Sequence, residues 1–451
     1  MKKRESLALV SLGCAKNAVD LQVRAGNLLK RGCSLSADPD RADTVIVNTC
    51  AFIESAREEA EAEIVRALEL KRRGQYGRVV VTGCYPERYP KAKDAFPGVD
   101  EWIGVPKTWE EPKMPALRLT GKAFAYLKIA EGCAHRCAYC AIPSIRGKYR
   151  SRPMASILRE ARALVKTGCR ELNIVAQDPM LWSEKKVERR GGGGERGGER
   201  GGERGGEKTL HLPDLLWALD RIKGDFWVRV LYSYPSEITE DFIVWLCTAK
   251  HAVPYVDVPI QHTVPAVLEK MNRKRAIEPS RSAAEVLREV VPDVTVRTTV
   301  MTGFPGETEA RFAELMADLK RMQFDHLGAF AYSPEEGTKG AKLRGRPRAD
   351  VARERERLVM AQQAKIWKLK AKRMLGQTYR ALVVAPGVAR MASQAPDVDG
   401  VVYLLADRLP SRAARLEAEV GSFVDVELTR VRGFDFDGFV VPSSAAGSRC
   451  E

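Results

Sequence analysis

Residues Glu131–Arg152 read EGCAHRCAYCAIPSIRGKYRSR, and the rest of the chain is arranged around this stretch. Cys133, Cys137 and Cys140 stand at C-x₃-C-x₂-C in one short loop, directly after a strand-like run, Phe124 to Ile129. Thiolates so spaced face one small object. On a [4Fe–4S] cluster, three cysteines leave one iron without a protein ligand, and an open iron is a place for chemistry. Zinc held by these cysteines and His135 is the other metal reading, although structural zinc sites draw paired ligands from two knuckles and no second C-x-x-C pair exists here. A disulfide reading would leave an odd thiol.

Composition bounds the remainder. A chain of 451 residues that is 45% hydrophobic can bury sizeable cores, and its length suggests about three domains. The net charge of +15 points first to a polyanionic partner. No secretory segment and no apolar run of membrane-spanning length is present, so the expected location is the cytoplasm, with no membrane partner. Ten cysteines in such a chain read as metal ligands or buried thiols.

Residues 1–112 open with three apolar, β-branched runs, Leu7 to Leu12, Thr44 to Val47 and Val79 to Thr82, each ending on a cysteine: Cys14, Cys50 and Cys84. Helical patterns lie between them, over Ala18 to Lys30 and Ile53 to Arg72. The alternation predicts a parallel α/β domain. Strands of such a sheet end on one edge, so the cysteines converge there without being close in sequence. A small buried thiol is the commonest fate of one cysteine, but three at equivalent strand ends are better explained as a second cluster. Cys33 is read as structural.

From 122 to 375 strand and helix signals keep alternating. Runs at Leu172 to Ala176, Trp227 to Leu231, Tyr255 to Ile260, Thr295 to Met301 and Leu327 to Tyr332, with the strand before Cys133, predict a partial (βα)6 barrel whose site lies at the carboxyl ends of its strands. In MTGFPGET, Met301 to Thr308, the glycines would let backbone approach a cofactor, or simply make a βα turn. Gln261 and His262 are weaker candidates at a strand end. Cys169 and Cys247 are expected to be buried thiols. Between Trp182 and Lys208 a Gly/Glu/Arg repeat cannot form a core, and a disordered insert near 184–208 is expected. After a long helical pattern, residues 376–442 alternate in short runs with turns, which predicts a small antiparallel β-barrel.

The cysteine loop, with Tyr139 before its last cysteine, resembles that of the radical S-adenosylmethionine (SAM) enzymes. SLGCAKN, VNTCAFIESA and VTGCYPER resemble the amino-terminal domain of the methylthiotransferase family; VAQD, DVPIQH, MTGFPGET and AYSPEEGT match it further along, and the carboxyl-terminal segment looks like a TRAM domain. The resemblance spans nearly the whole chain apart from the insert. It implies an α/β enzyme with two [4Fe–4S] clusters and SAM: Cys133, Cys137 and Cys140 hold the cluster that binds SAM, and Cys14, Cys50 and Cys84 hold the one that carries sulfur. Tyr139, Gln177, Gly303, Phe304 and Pro305 are the implied SAM contacts, and no catalytic residue is implied beyond the cluster ligands. An external electron donor and a sulfur donor are needed.

Within the family the substrate is either a tRNA adenosine or an aspartate β-carbon in the twelfth small-subunit ribosomal protein. MASQAPDVDGVVYL, from Met391, resembles the second branch. Residues 376–442 carry Arg380, Arg390, Arg408, Arg412, Arg415, Arg430 and Arg432 against a larger number of acids, among them Asp397, Asp399, Asp435 and Asp437, and no lysine. An acidic barrel fits a basic ribosomal protein, with RNA contact secondary. The tRNA-modifying activity is the alternative. A non-catalytic iron–sulfur protein that binds ribosomes is a third reading, which the SAM-type spacing does not favour.

Overall fold

The protein is described by a computed structural model over residues 4–110, 117–187, 207–405 and 419–442. Its amino-terminal sheet has five parallel strands in the order Ser34–Leu35, Ser6–Ser11, Ala42–Thr49, Tyr76–Gly83, Glu101–Ile103. Val45, Val47, Val79 and Val81 are fully buried, as parallel strands covered on both faces require. Helix Glu54–Arg72 lays Ala60, Ile64 and Ala67, one stripe at helical spacing, into the same core. Its ends suit the helix dipole, with Glu54 in the first turn and Lys71 and Arg72 in the last.

Six further strands run parallel in chain order: Phe124–Lys128, Glu171–Val175, Trp227–Val230, Tyr255–Asp257, Thr295–Thr302 and His326–Ala331. They form two three-stranded ladders, and the bridge Val228–Ala252 joins the second to the first. This is the expected partial barrel. Alternate residues divide between its two sides: Ala125, Leu127, Leu172, Ile174, Val228 and Val230 belong to the core shared with the outer helices, while Lys128, Asn173 and Arg229 alternate with them and are buried inside.

Helix Ala349–Met374 links this barrel to the last domain. Its Trp367 packs in the domain's core and donates from Nε1 to Gly433 O (2.8 Å). That domain is a closed barrel of Thr378–Ala385, Val388–Met391, Val402–Leu404, Asp435–Val441 and Phe423–Arg432. It corrects the antiparallel expectation in one place, because Val402–Leu404 pairs parallel with Asp435–Val441. Directions cannot alternate all the way round a closed ring with an odd number of strands.

The segment from Arg390 to Asp399 closes the amino end of the six-stranded barrel. Arg390 pairs with buried Glu171, Arg229 Nη1 donates to Ala392 O (2.7 Å), and Tyr255 OH donates to Asp399 Oδ2 (2.7 Å). Tyr126 OH also bonds Asp397. These contacts draw Asp397 and Asp399 into the seam between the two barrels. Asp437 is buried against Arg430 (2.7 Å) and Arg432 (2.9 Å), and Asp435 Oδ1 accepts from Val401 N (2.8 Å). Arg408, Arg412 and Arg415 lie outside the described residues.

The insert is narrower than expected. Trp182 is fully buried with Nε1 donating to Arg152 O (2.9 Å), and Ser183–Val187 pairs antiparallel with Glu207–His211. The glycine-rich core, 188–206, lies outside the described residues. Cys169 is buried, but Cys247, expected to be buried, is exposed.

Candidate active site at two cysteine groups

The loop carrying Cys133, Cys137 and Cys140 leaves the first strand of the six-stranded barrel at its carboxyl end. Gly132 enters it at φ +76°, in the left-handed region, where a Cβ would collide with the carbonyls of Gly147 and Lys148. Burial pushes the Cys133 thiol up to about 11 and the Cys140 thiol up to about 12; Cys137 adds to both, and Cys133 adds to Cys140. The three thiols therefore face a common space, and loading it with metal displaces their protons. Among the described residues no three His, Cys, Asp or Glu side chains close round a single metal ion. His135, the fourth ligand of the zinc reading, is instead engaged at Nε2 by Asp178 Oδ2 (2.6 Å) and stacked on Tyr234 (3.9 Å). Arg273, buried, lies over the other partner of that stack, Tyr234 (4.2 Å), and reaches Cys137 Sγ (3.9 Å) and Tyr139 OH (3.4 Å).

In the amino-terminal domain Cys14, Cys50 and Cys84 follow three neighbouring parallel strands. Cys50 and Cys84 are buried and Cys14 is exposed, so the group has one open side. Burial pushes Cys84 up to about 12 and Cys50 up as well; Cys14 raises both, and the guanidinium of Arg146 opposes the shift. Gly13, at φ +84°, makes the approach possible, since a Cβ there would lie 2.6 Å from Cys50 Cβ. Asn17 ties the strand ends together, donating to Leu12 O (2.8 Å) and Thr49 O (3.0 Å). Three thiols converging at one sheet edge, with one side open, suit a cluster that keeps one iron free.

A buried set of charges lies between the groups. Arg146 Nη1 donates to Asp20 Oδ2 (2.8 Å) and to Glu131 (3.1 Å), Lys128 Nζ donates to Glu131 Oε2 (2.8 Å) and to Asp20, and Gln177 Nε2 donates to Glu131 Oε1 (3.2 Å). Burial alone would raise the Glu131 carboxyl, but Lys128 and Arg146 hold it at about 2. Sequence reasoning singled out none of Asp20, Lys128, Glu131, Arg146, Asp178, Tyr234 or Arg273. The one signal was charge inside apolar runs: Lys128 in FAYLKIA and Arg146 in IPSIRG.

The residues implied as SAM contacts are dispersed around the cluster loop. Tyr139 lies edge-on to Phe304 (6.3 Å), and Phe304, fully buried, packs against Tyr332. A Cβ at Gly303 would strike Ala352 of the linking helix, so the glycine lets that helix pack close against the turn. Pro305 is buried beside it. Gln177 is held by Glu131, with its Oε1 buried and unpartnered among the described residues. Gln261 sits at φ +68° on the mouth side with Oε1 likewise unpartnered, whereas His262 is fully buried against Glu307 (3.2 Å) and reads as structural.

A parallel partial barrel with a three-cysteine loop at its mouth defines a radical SAM enzyme, and the radical SAM superfamily pattern matches residues 127–319. Residues 6–104 match the uncharacterized protein family UPF0004 and 375–441 the TRAM domain. The chain is 36% identical to the ribosomal protein uS12 methylthiotransferase RimO of Opitutus terrae, over 95% of each chain. It is 38% identical to the protein of the same name from Moorella thermoacetica, over 96% of this chain and 98% of that one. The chain belongs to the RimO family of radical SAM methylthiotransferases. Its cofactors are SAM and [4Fe–4S] clusters. Among solved structures, the radical SAM methyltransferase TsrM from Kitasatospora setae aligns over 92% of this chain and 84% of its own at TM-score 0.51 and 16% identity, a likeness of fold. Among the described residues no helix is long and apolar enough to cross a membrane.

Proposed function

We propose that this chain methylthiolates the β-carbon of an aspartate in ribosomal protein uS12, with Cys133, Cys137 and Cys140 ligating one [4Fe–4S] cluster and Cys14, Cys50 and Cys84 a second. In this reading residues 1–112 carry the second cluster, 122–375 the SAM-binding one, and 376–442 a TRAM-like barrel. The observation that carries it is the meeting of the two groups: Arg146, six residues after Cys140, lies 3.4 Å from Cys84 Sγ. When bound, the clusters and SAM supply hydrogen abstraction from the substrate, the sulfur and the methyl group. The chain's own residues supply placement. Asp178, Tyr234 and Arg273 hold the loop of the first cluster in register with the barrel mouth, and Asn17 and Gly13 gather the ligands of the second.

The curated relatives named for uS12 support the substrate. A cavity of about 740 Å³ beside the mouth, walled by Asp214, Glu237 and Asp241 over Met180 and Trp217, also supports a basic partner. An external reductant and a sulfur donor complete the reaction, which we place in the cytoplasm; RNA contact is secondary. Anaerobic reconstitution tests this, with the enzyme incubated separately with small ribosomal subunits and with tRNA. Mass spectrometry should find a methylthio gain on a uS12 aspartate; a gain on adenosine alone would transfer the assignment to tRNA.

A further inference from the structure

We infer that Arg146 is a positioning residue for the second cluster: it donates to the Cys84 sulfur, anchors that sulfur to the loop of the first cluster, and raises the reduction potential of the cluster Cys84 ligates. The inference rests on the ligand assignment proposed above. Arg146 is 3% exposed, and its two terminal nitrogens divide their work between the domains. Nη2 meets Cys84 Sγ (3.4 Å) and Asn17 Oδ1 (3.2 Å), while Nη1 meets Glu131 Oε1 (3.1 Å) and Asp20 Oδ2 (2.8 Å). Glu131 stands two residues before Cys133, and Asn17 holds the strand ends beside Cys14 and Cys50. One guanidinium therefore touches the frame of both cysteine groups. A planar fork does this where an ammonium, a single point charge, cannot.

The charges around it explain how the cation is tolerated. Lys128 and Arg146 face Asp20 and Glu131, so the buried set is neutral and each member has partners. Hydrogen bonds to the sulfurs and net nearby charge are among the levers that set cluster potentials. Reduction adds negative charge, which a donor on the sulfur stabilises. Removing Arg146 also leaves Glu131 and Asp20 facing one cation fewer, which acts in the same direction.

The test uses the full chain in two backgrounds, one with Cys133, Cys137 and Cys140 changed to alanine and one with Cys14, Cys50 and Cys84 changed to alanine. If the first background takes up no iron with Arg146 intact, the ligand assignment fails, independently of this inference. If it does take up iron, Arg146→Gln should shift the midpoint in an EPR-monitored redox titration to more negative potential and change the EPR spectrum of the reduced cluster. Arg146→Lys, which keeps the charge but not the fork, should move the midpoint less and still change the spectrum. Iron lost from this background but retained in the second would also support the positioning role. Unchanged midpoint and spectrum, or equal loss of iron from both backgrounds in both variants, would overturn the inference.

Discussion

His135 and Asp178 are joined at 2.6 Å between Nε2 and Oδ2, a bond that ties the tip of the cysteine loop to the end of the neighbouring barrel strand. Asp178 is itself fixed, since it caps the following turn by accepting from Met180 N (3.0 Å). A hydrogen bond to a charged group contributes about 1.5–3 kcal/mol, enough to bias the loop strongly toward one geometry. Asp178→Ala should therefore reduce iron retained by Cys133, Cys137 and Cys140 after gel filtration, and SAM cleavage with it, while Asp178→Asn should keep most of both. Full iron and full cleavage in Asp178→Ala would show that the loop needs no such brace.

The glycine before Cys14 gives a test of the second group that leaves every cysteine in place. A methyl group at position 13 would strike Cys50 and sit on a backbone of positive φ. Gly13→Ala should lower iron by about half and behave like Cys50→Ala, with SAM still cleaved but no methylthiolated product, as expected if two clusters of equal size are bound. Cys137→Ala should abolish SAM cleavage instead. Normal product from Gly13→Ala would mean that Cys14 and Cys50 need not approach each other.

Glu171 should be the anchor between the six-stranded barrel and the carboxyl-terminal domain. It is fully buried and pairs with Arg229 (2.8 Å) and with Arg390. Glu171→Gln strands two buried guanidinium groups, and breaking a buried pair costs about 3–5 kcal/mol. Burial alone would raise the carboxyl, but Arg390 and Arg229 hold it below its usual value of 4.5. A depressed folded-state value means stability that is present above about pH 4.5 and lost as pH falls through the lower value. Calorimetry should show that the wild type loses this part of its stability in acid and that Glu171→Gln lacks it. Equal melting temperatures at neutral pH would remove Glu171 from this role.

The strand pair flanking the glycine-rich core predicts tolerance of its deletion. Val187 and Glu207 are backbone partners at the end of the ladder, a separation that a two-residue turn spans. Replacing residues 188–206 with Asn-Gly should leave iron content and SAM cleavage within about twofold of the parent, since closure entropy varies slowly with loop length. A large loss of either would give those residues a part in the reaction.

What could be read from the chain alone was whatever local spacing encodes. The ligands of the first group fall within one loop, the strands announce themselves by β-branched runs, and the three amino-terminal cysteines are equivalent because parallel strands end on one edge. Tertiary structure decided the rest, because a charged side chain carries no mark of its partner. Arg146 meets Cys84 across 62 positions and Arg390 meets Glu171 across 219. The sequence counts the acids of the last domain together, whereas the fold directs Asp397 and Asp399 to Tyr126 and Tyr255 of the six-stranded barrel and Asp437 to two arginines of its own domain. Net charge sums what is present in a segment; only the packing of domains decides which charges are neutralised inside and which remain for a partner.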